Sequence, residues 1–240
     1  MPDVDLAAPA KLIGEPARAA MLAALLDGRS LPASDLAALA GVSAPTASAH
    51  LAQLVDGGLV TAVRSGRHRY FALAGPEVAR AVEALLAIAP TRPVVSYARS
   101  REAKRLAEAR SCYDHLAGRL ALDLADALVA EGALAPLRAG EPGVLLATSG
   151  PLATRLGLDR LVDAGRRPAV RGCLDWTERR PHVAGLAGAR ILETLVGDGL
   201  LARARGDRGL TPTEAGAAWF AELAGASGGT RTGRAGTPAA

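Results

Sequence analysis

The stretch Leu36-Ala37-Ala38-Leu39-Ala40-Gly41-Val42-Ser43-Ala44-Pro45-Thr46-Ala47-Ser48-Ala49-His50-Leu51-Ala52-Gln53-Leu54 decides the fold. A short helix over Ser34–Ala40, capped by Ser34, carries Leu36, Leu39 and Ala40 inward and stops at Gly41. Ser43 caps a second helix, Ala44–Asp56, and Pro45 is tolerated in its first turn, where N–H groups have no partner inside the helix. Gly57-Gly58 ends it. Two short helices joined by a tight glycine turn, the second opened by a hydroxyl cap, make a helix-turn-helix. At ~100° per residue, Ala47, Leu51 and Leu54 share the inward side of the second helix. Pro45, Ala49, Ala52 and Gln53 face away, flanked by Thr46 and Ser48. His50 lies at the edge of the inward side, as a partly buried histidine bonding to backbone or as a DNA contact.

Working outward, Lys11–Gly28 has apolar residues at helical spacing and reads as one helix. After Gly58, Leu59–Val63 and Tyr70–Leu73 read as short strands around the basic turn Arg64-Ser65-Gly66-Arg67-His68-Arg69, a hairpin or wing. Pro76–Ala89 is a further amphipathic helix, with Val78, Val82, Leu85 and Leu86 on one side. The order helix, helix-turn-helix, wing, helix over residues ~8–90 resembles the ArsR/SmtB family of bacterial winged-helix repressors. The landmarks are Ile13–Arg18, Leu36–Ser43, Thr46–Leu54, Gly57–Val60 and Gly66–Tyr70.

The resemblance implies a homodimeric transcriptional regulator that binds double-stranded DNA, with Lys11–Gly28 and Pro76–Ala89 forming the dimer interface. It places Ser43, Pro45, Thr46, Ser48 and Gln53 at the major groove, and Arg64, Arg67, His68 and Arg69 on phosphates or the minor groove. Relatives often carry Arg or His where Ala49 stands, which implies sparse direct reading and a larger share for DNA shape and the wing. Metal-sensing members carry a Cys-x-Cys at the start of the helix-turn-helix, or Asp/His pairs on the last helix. Here Leu31–Leu36 has no Cys, and Gly75–Ala89 has no His and only Glu77 and Glu83 as acids.

The chain has 240 residues, half of them apolar and only 3% aromatic, so its cores are built from Ala, Leu and Val. Its longest apolar run, Ala19–Leu26, falls far short of the ~20 residues that span a bilayer. The acidic start Met1–Asp5 does not read as a signal peptide, and two cysteines build no disulfide framework. A cytoplasmic protein with no membrane partner is the expectation. Net charge is +4; residues 1–90 hold seven basic and eight acidic side chains, so the positive charge is local, in the wing and in 92–110.

Beyond Thr91-Arg92-Pro93, Val95–Arg110 reads as a charged helix within a connector over 91–111. Residues 112–224 contain a repeat at an offset of 67: His115/His182, Ala117-Gly118/Ala184-Gly185, Leu128-Val129/Leu195-Val196, Gly132/Gly199 and Leu134/Leu201 coincide. Each copy reads as a helix ending at a glycine and running into a strand, followed in the second copy by a winged-helix-like hairpin and a helix, Glu214–Leu223, capped by Thr213 or Thr211. The expected fold is mainly α with short β-hairpin wings: a winged helix-turn-helix domain over 1–90, a helical, degenerate winged-helix-like sensor domain over 112–224, and a disordered tail over 225–240.

Both cysteines, and two of only four histidines, stand near the start of the two copies. In a helix, Cys112 and His115 would share a face. Three readings of Cys112, His115, Cys173 and His182 stay open at this level. They form a two-Cys, two-His site for zinc or another thiophilic metal, with Asp114 or Asp175 orienting an imidazole. Alternatively, Cys112 and Cys173 are a redox pair. In the third reading the cysteines are small core residues and the histidines pack or cap. Trp176 and Tyr113 read as core, or second as the lining of a small ligand pocket, and Arg179-Arg180 beside Glu178 and Asp175 reads as a surface ion-pair cluster ahead of an anion site. No Gly-rich phosphate loop, nucleophile elbow or zinc-protease helix is present, so the chain does not read as an enzyme. The alternative to an effector-responsive repressor is an interaction or metal/redox-sensing adaptor that keeps the winged-helix fold without strong operator reading.

Overall fold

The computed structural model describes residues 4–66, 68–90, 97–161, 165, 167–204 and 208–228. They form two compact units, the first drawn from 1–92, 111–114 and 204–208 and the second from 93–110, 115–203 and 209–240. Among the described residues no helix is long and apolar enough to cross a membrane.

The first unit opens with α1 (Ala7–Ile13) and α2 (Pro16–Ala24), followed by one 3-10 turn, Leu25–Asp27. This corrects the single helix expected over Lys11–Gly28. Pro16 lacks an N–H and forces Glu15 into extended backbone (φ −85°, ψ 129°), so the chain breaks and restarts with Glu15 as N-cap, its carboxylate accepting from the Arg18 N–H. That bond, first among its causes, holds the Glu15 carboxyl below the ordinary range. β1 (Leu31–Pro32) leads into α3 (Ala33–Ala40). Here Pro32, not Ser34, is the N-cap; the Ser34 hydroxyl lies inside the helix and donates to Asp35 instead. Gly41 adopts a left-handed φ of 67° and closes α3, and Ser43 caps α4 (Ala44–Asp56) as the sequence predicts. β2 (Val60–Ser65) and β3 (His68–Leu73) pair antiparallel as the wing, and β1 joins the free side of β3, with Leu31 opposite Phe71.

α5 (Pro76–Ile88) ends this run. Val82 on it is buried, while Leu85, expected on the inward side, is exposed along with Ile88. The core joins Met21, Leu22, Leu25, Leu36, Leu51, Leu54 and Phe71. Two later segments belong to this unit: Tyr113 donates its N–H to the Leu26 carbonyl (2.5 Å), and Arg208 pairs with the buried Glu83 (2.8 Å).

The second unit begins with α6 (Tyr97–Glu108), shorter than the helix expected to Arg110; residues 95 and 96 lie outside the described residues. The hairpin β4 (Arg110–Cys112) and β5 (His115–Ala117), whose residues 111–114 are counted with the first unit, precedes α7 (Arg119–Ala130). β6 (Pro142–Gly143), α8 (Pro151–Arg155) and a 3-10 turn lead to the hairpin β7 (Val170–Leu174) and β8 (Pro181–Ala184), then α9 (Gly185–Gly197). β9 (Leu201–Arg203) and β10 (Leu210–Pro212) form a second small wing. α10 (Glu214–Gly228) closes the unit, its Gly216 N–H held by the Thr213 hydroxyl (3.0 Å). It runs past Leu223 into the stretch expected to be tail; residues 229–240 lie outside the described residues.

The repeated segments share one order of elements: a β-hairpin, a glycine with positive φ, a helix, and a second such glycine. Gly118 (φ 93°) and Gly185 (φ 84°) hold the first of these positions, and Gly132 (φ 79°) and Gly199 (φ 69°) the second. A Cβ on Gly118 would lie 2.7 Å from the Glu108 carbonyl oxygen, and one on Gly185 2.6 Å from that of Pro168. Both positions therefore demand glycine twice over, for backbone angle and for space. The copies also interlock, β5 lying against α9 and β8 against α7. Leu116, Leu120, Leu124, Leu128, Ile191 and Leu195 form the shared core.

Replacing Leu51, 1% exposed, by Ala should cost the first unit about 2–5 kcal/mol, because the cavity cannot fully collapse. Ala52→Ser, one residue along on the exposed side, should change stability by under about 0.5 kcal/mol. Urea unfolding of the two variants checks the inward and outward sides of α4; equal losses would contradict them.

Candidate functional site

The exposed side of α4 and the wing form the first site. Pro45, Thr46, Ser48, Ala49, Ala52 and Gln53 are exposed, and Ala47, Leu51 and Leu54 are buried, the division that helical periodicity predicts. Each polar residue on this side is held. The Thr46 and Ser43 hydroxyls bond each other (2.8 Å), and the Ser48 hydroxyl donates to the Ala44 carbonyl (3.0 Å). Gln53 accepts from Arg18 Nη1 (2.6 Å). Arg18, which sequence reasoning passed over, also donates to the Leu12 and Lys11 carbonyls at the end of α1 (2.7 and 2.9 Å), and so ties α1, α2 and α4 together. His50 is half-buried beside Arg18 and Glu15, bonding side chains rather than backbone.

On the wing, Arg64 stands opposite Arg69, and Ser65 opposite His68. All four are exposed, with the Arg69 guanidinium 5.2 Å from the centre of the Phe71 ring. Like charges directly across a ribbon repel. A polyanion lying along it removes that repulsion. Arg67 lies outside the described residues.

The second site gathers Cys112, His115, Cys173 and His182, whose ligand atoms all lie within 4.8 Å of one another. None of the four is on a helix, which corrects the helical face expected for Cys112 and His115. Each copy of the repeat instead supplies one Cys and one His on the two strands of a hairpin: Cys112 on β4 and His115 on β5, Cys173 on β7 and His182 on β8. Cys173 stands directly opposite His182 in register, where cross-strand side chains share a face. Cys112 is tethered to His115 by the two-residue turn Tyr113-Asp114. The rings of His115 and His182 stack with centroids 5.1 Å apart. Cys112, His115 and His182 are buried, and Cys173 is half-buried.

Beside this group lies a fully buried ion pair, Arg110–Asp175 (2.8 Å). Asp175 Oδ2 also accepts from the Gly118 N–H at the start of α7 (2.7 Å). Its Oδ1 accepts from the N–H and hydroxyl of Thr177 and from the Glu178 N–H. Burial alone would raise this carboxyl's pKa; the Arg110 charge and these hydrogen bonds outweigh it and hold the carboxyl below the ordinary range. His182 Nδ1 lies 4.0 Å from Oδ2. The Arg110 guanidinium sits over the half-buried Trp176 ring, 4.7 Å from its centre. Arg180 pairs at the surface with Asp126 (2.6 Å), whereas Asp175, expected in the same surface cluster, is buried and pairs with Arg110.

A helix-turn-helix domain model matches residues 13–63. The HTH-type transcriptional regulator YdfF of Bacillus subtilis, itself described as uncharacterized, is 36% identical over 214 residues, covering 88% of this chain and 93% of the relative. The HTH-type transcriptional regulator CmtR of Mycobacterium tuberculosis is 37% identical over 100 residues, 40% of this chain and 84% of the relative. Among solved structures, the cadmium metal-sensor CmtR of Mycobacterium tuberculosis is 35% identical over 38% of this chain and 99% of its own, with a TM-score of 0.31.

Arg110→Met should destabilise the second unit by about 3–5 kcal/mol, because it leaves the Asp175 carboxylate buried without its counter-charge. Arg180→Met, which removes an exposed pair, should cost no more than about 1 kcal/mol. Denaturant unfolding followed by tryptophan fluorescence compares the two.

Proposed function

Because this chain belongs to the ArsR-type winged helix-turn-helix transcriptional regulators, we propose that it acts in the cytoplasm as a homodimeric, sequence-specific repressor. It receives its signal at the group Cys112, His115, Cys173 and His182. The observation that carries the DNA half is the wing: a ribbon with Arg64 opposite Arg69 and His68 beside them, all exposed, in the same unit as the exposed side of α4.

In this reading Ser43, Pro45, Thr46, Ser48 and Gln53 enter the major groove. Arg64, Arg67, His68 and Arg69 hold phosphates or the minor groove. Since Gln53 offers its carbonyl oxygen to Arg18, its amide N–H₂ is the end left for a base edge or a phosphate. Ala49 and Ala52 give apolar contact only, so DNA shape carries much of the specificity. The exposed Leu85 and Ile88 on α5 support a dimer face there, alongside the α1–α2 segment.

The signal half draws its support from the Cys/His group. The familiar metal positions of the family carry no Cys or His here, so a thiophilic cation has its donor set in the Cys112, His115, Cys173 and His182 group instead.

Fluorescence anisotropy with labelled duplex from the region upstream of the coding sequence tests the DNA half. Specific affinity should exceed that for random duplex of equal length by about a thousandfold or more. The pair Arg64→Ala and Arg69→Ala should lower affinity for both duplexes and reduce the slope of log affinity against log salt by about 2. Equal affinity for the two duplexes, or a slope untouched by the two substitutions, would remove this reading and favour an adaptor.

A further inference from the structure

We infer that Cys112, His115, Cys173 and His182 form a closed, tetrahedral site for one borderline-soft divalent cation of the zinc class, with Asp175 as the outer carboxylate that orients His182. This deepens the signal half of the proposed function and rests on it only for the ion's regulatory role.

The strongest observation is His182. Its side chain is 1% exposed, and neither ring nitrogen has a hydrogen-bond partner among the described residues. A sealed, unsatisfied imidazole carries the full cost of its lost hydration. A bond to a cation removes that cost. A Cys112–Cys173 disulfide would account for the two sulfurs and leave this imidazole unexplained, which decides between the metal and redox readings.

Charge and geometry agree. Two thiolates balance a divalent ion and two neutral imidazoles add nothing, so the filled site is neutral, as burial demands. Zinc sits ~2.3 Å from sulfur and ~2.0–2.1 Å from nitrogen, which puts tetrahedral donors roughly 3.3–3.8 Å apart. The four ligand atoms lie within 4.8 Å of one another, so closure needs shifts of about 1 Å or less. The strands already set the donors in place, since Cys173 and His182 are register partners and Cys112 and His115 flank one two-residue turn. With four protein ligands the coordination shell is complete. No position is left for an attacking water, and the site binds rather than catalyses.

Asp175 supplies the outer shell. Its Oδ2 lies 4.0 Å from His182 Nδ1, just beyond hydrogen-bond reach, and is fixed by Arg110 and the Gly118 N–H. A small rotation of the ring on binding the ion through Nε2 makes Nδ1–H a donor to that oxygen. The tautomer is then set and the ligand made more basic.

The test uses the full chain, stripped of metal by chelator under reducing conditions and titrated with cobalt(II), then zinc(II). The expected result is one cobalt per chain, with the ligand-field absorption of a tetrahedral ion and a thiolate-to-cobalt charge-transfer band, displaced by one equivalent of zinc. Asp175→Asn should keep stoichiometry and spectrum but weaken binding about 10–100-fold, and shrink the rise in melting temperature that the metal gives. A merely structural Asp175 would lower both melting temperatures together and leave that rise intact, which would overturn its role as the orienting carboxylate. The site itself is overturned by no stoichiometric binding, by six-coordinate cobalt without charge transfer, or by a metal-free protein isolated with Cys112 and Cys173 joined. The same preparations are assayed on DNA. Intact cobalt binding with no specific DNA binding removes the repressor reading and keeps the site, and the reverse removes only the site.

Discussion

The carboxylate of Asp175 is the constraint on which the second unit turns. Fully buried, it collects Arg110 from β4, the N–H of Gly118 that precedes α7, and the Thr177 and Glu178 groups of its own turn. Arg110 begins the strand that carries Cys112, and Asp175 follows the strand that carries Cys173. One ion pair thus pins together the two hairpins from which the Cys/His group is built. A buried pair of this kind adds little net stability over an apolar contact, since both charges lose their water. Its physical value is geometric: an Arg–Asp pair with every oxygen satisfied tolerates few alternative registers.

The two hairpins also share a backbone oddity. Tyr113, in the turn of the first, has φ 59°, and Arg179, in the turn of the second, has φ 56°. Neither is glycine, so each carries a local cost that the surrounding structure meets. Residues held this way cluster where a turn must aim a side chain. Here the turns flank Cys112, His115 and His182. Two repeats, each contributing one sulfur and one imidazole, make a single four-donor group that neither copy holds alone.

Much of the first unit was legible because its signals are local. The glycine stops at Gly41 and Gly57, the Ser43 cap and the 3.6-residue period of Ala47, Leu51 and Leu54 all act within a turn or two, and they give α4 its residue bounds and its buried side. The misreadings came where two local rules compete. Apolar spacing suggested one helix across Lys11–Gly28, but Pro16 restricts Glu15 more strongly than that spacing favours continuity. The repeat was visible, and it pointed to the four residues whose ligand atoms the structure brings within 4.8 Å of one another. Their secondary structure was not visible: the Cys-x-x-His spacing fits a helical face as well as a two-residue hairpin turn, and Ala-rich sequence gives no alternation to decide. The Asp175 hub was beyond reach because its partners Arg110 and Gly118 lie 65 and 57 residues away in sequence. Arg18 was missed for the same reason: its partner Gln53 is 35 residues distant.

The chain is a transcriptional regulator with a DNA-binding winged helix, and its Cys/His group is the place proposed for its signal. The most direct measurement of that claim is the affinity of the full chain for its own upstream duplex, in reducing buffer, with and without one equivalent of zinc. If the group is the signal site, the two affinities differ by about 5–150-fold, the usual range of coupling between linked sites. Superimposable isotherms, with zinc shown to be bound, would contradict the account.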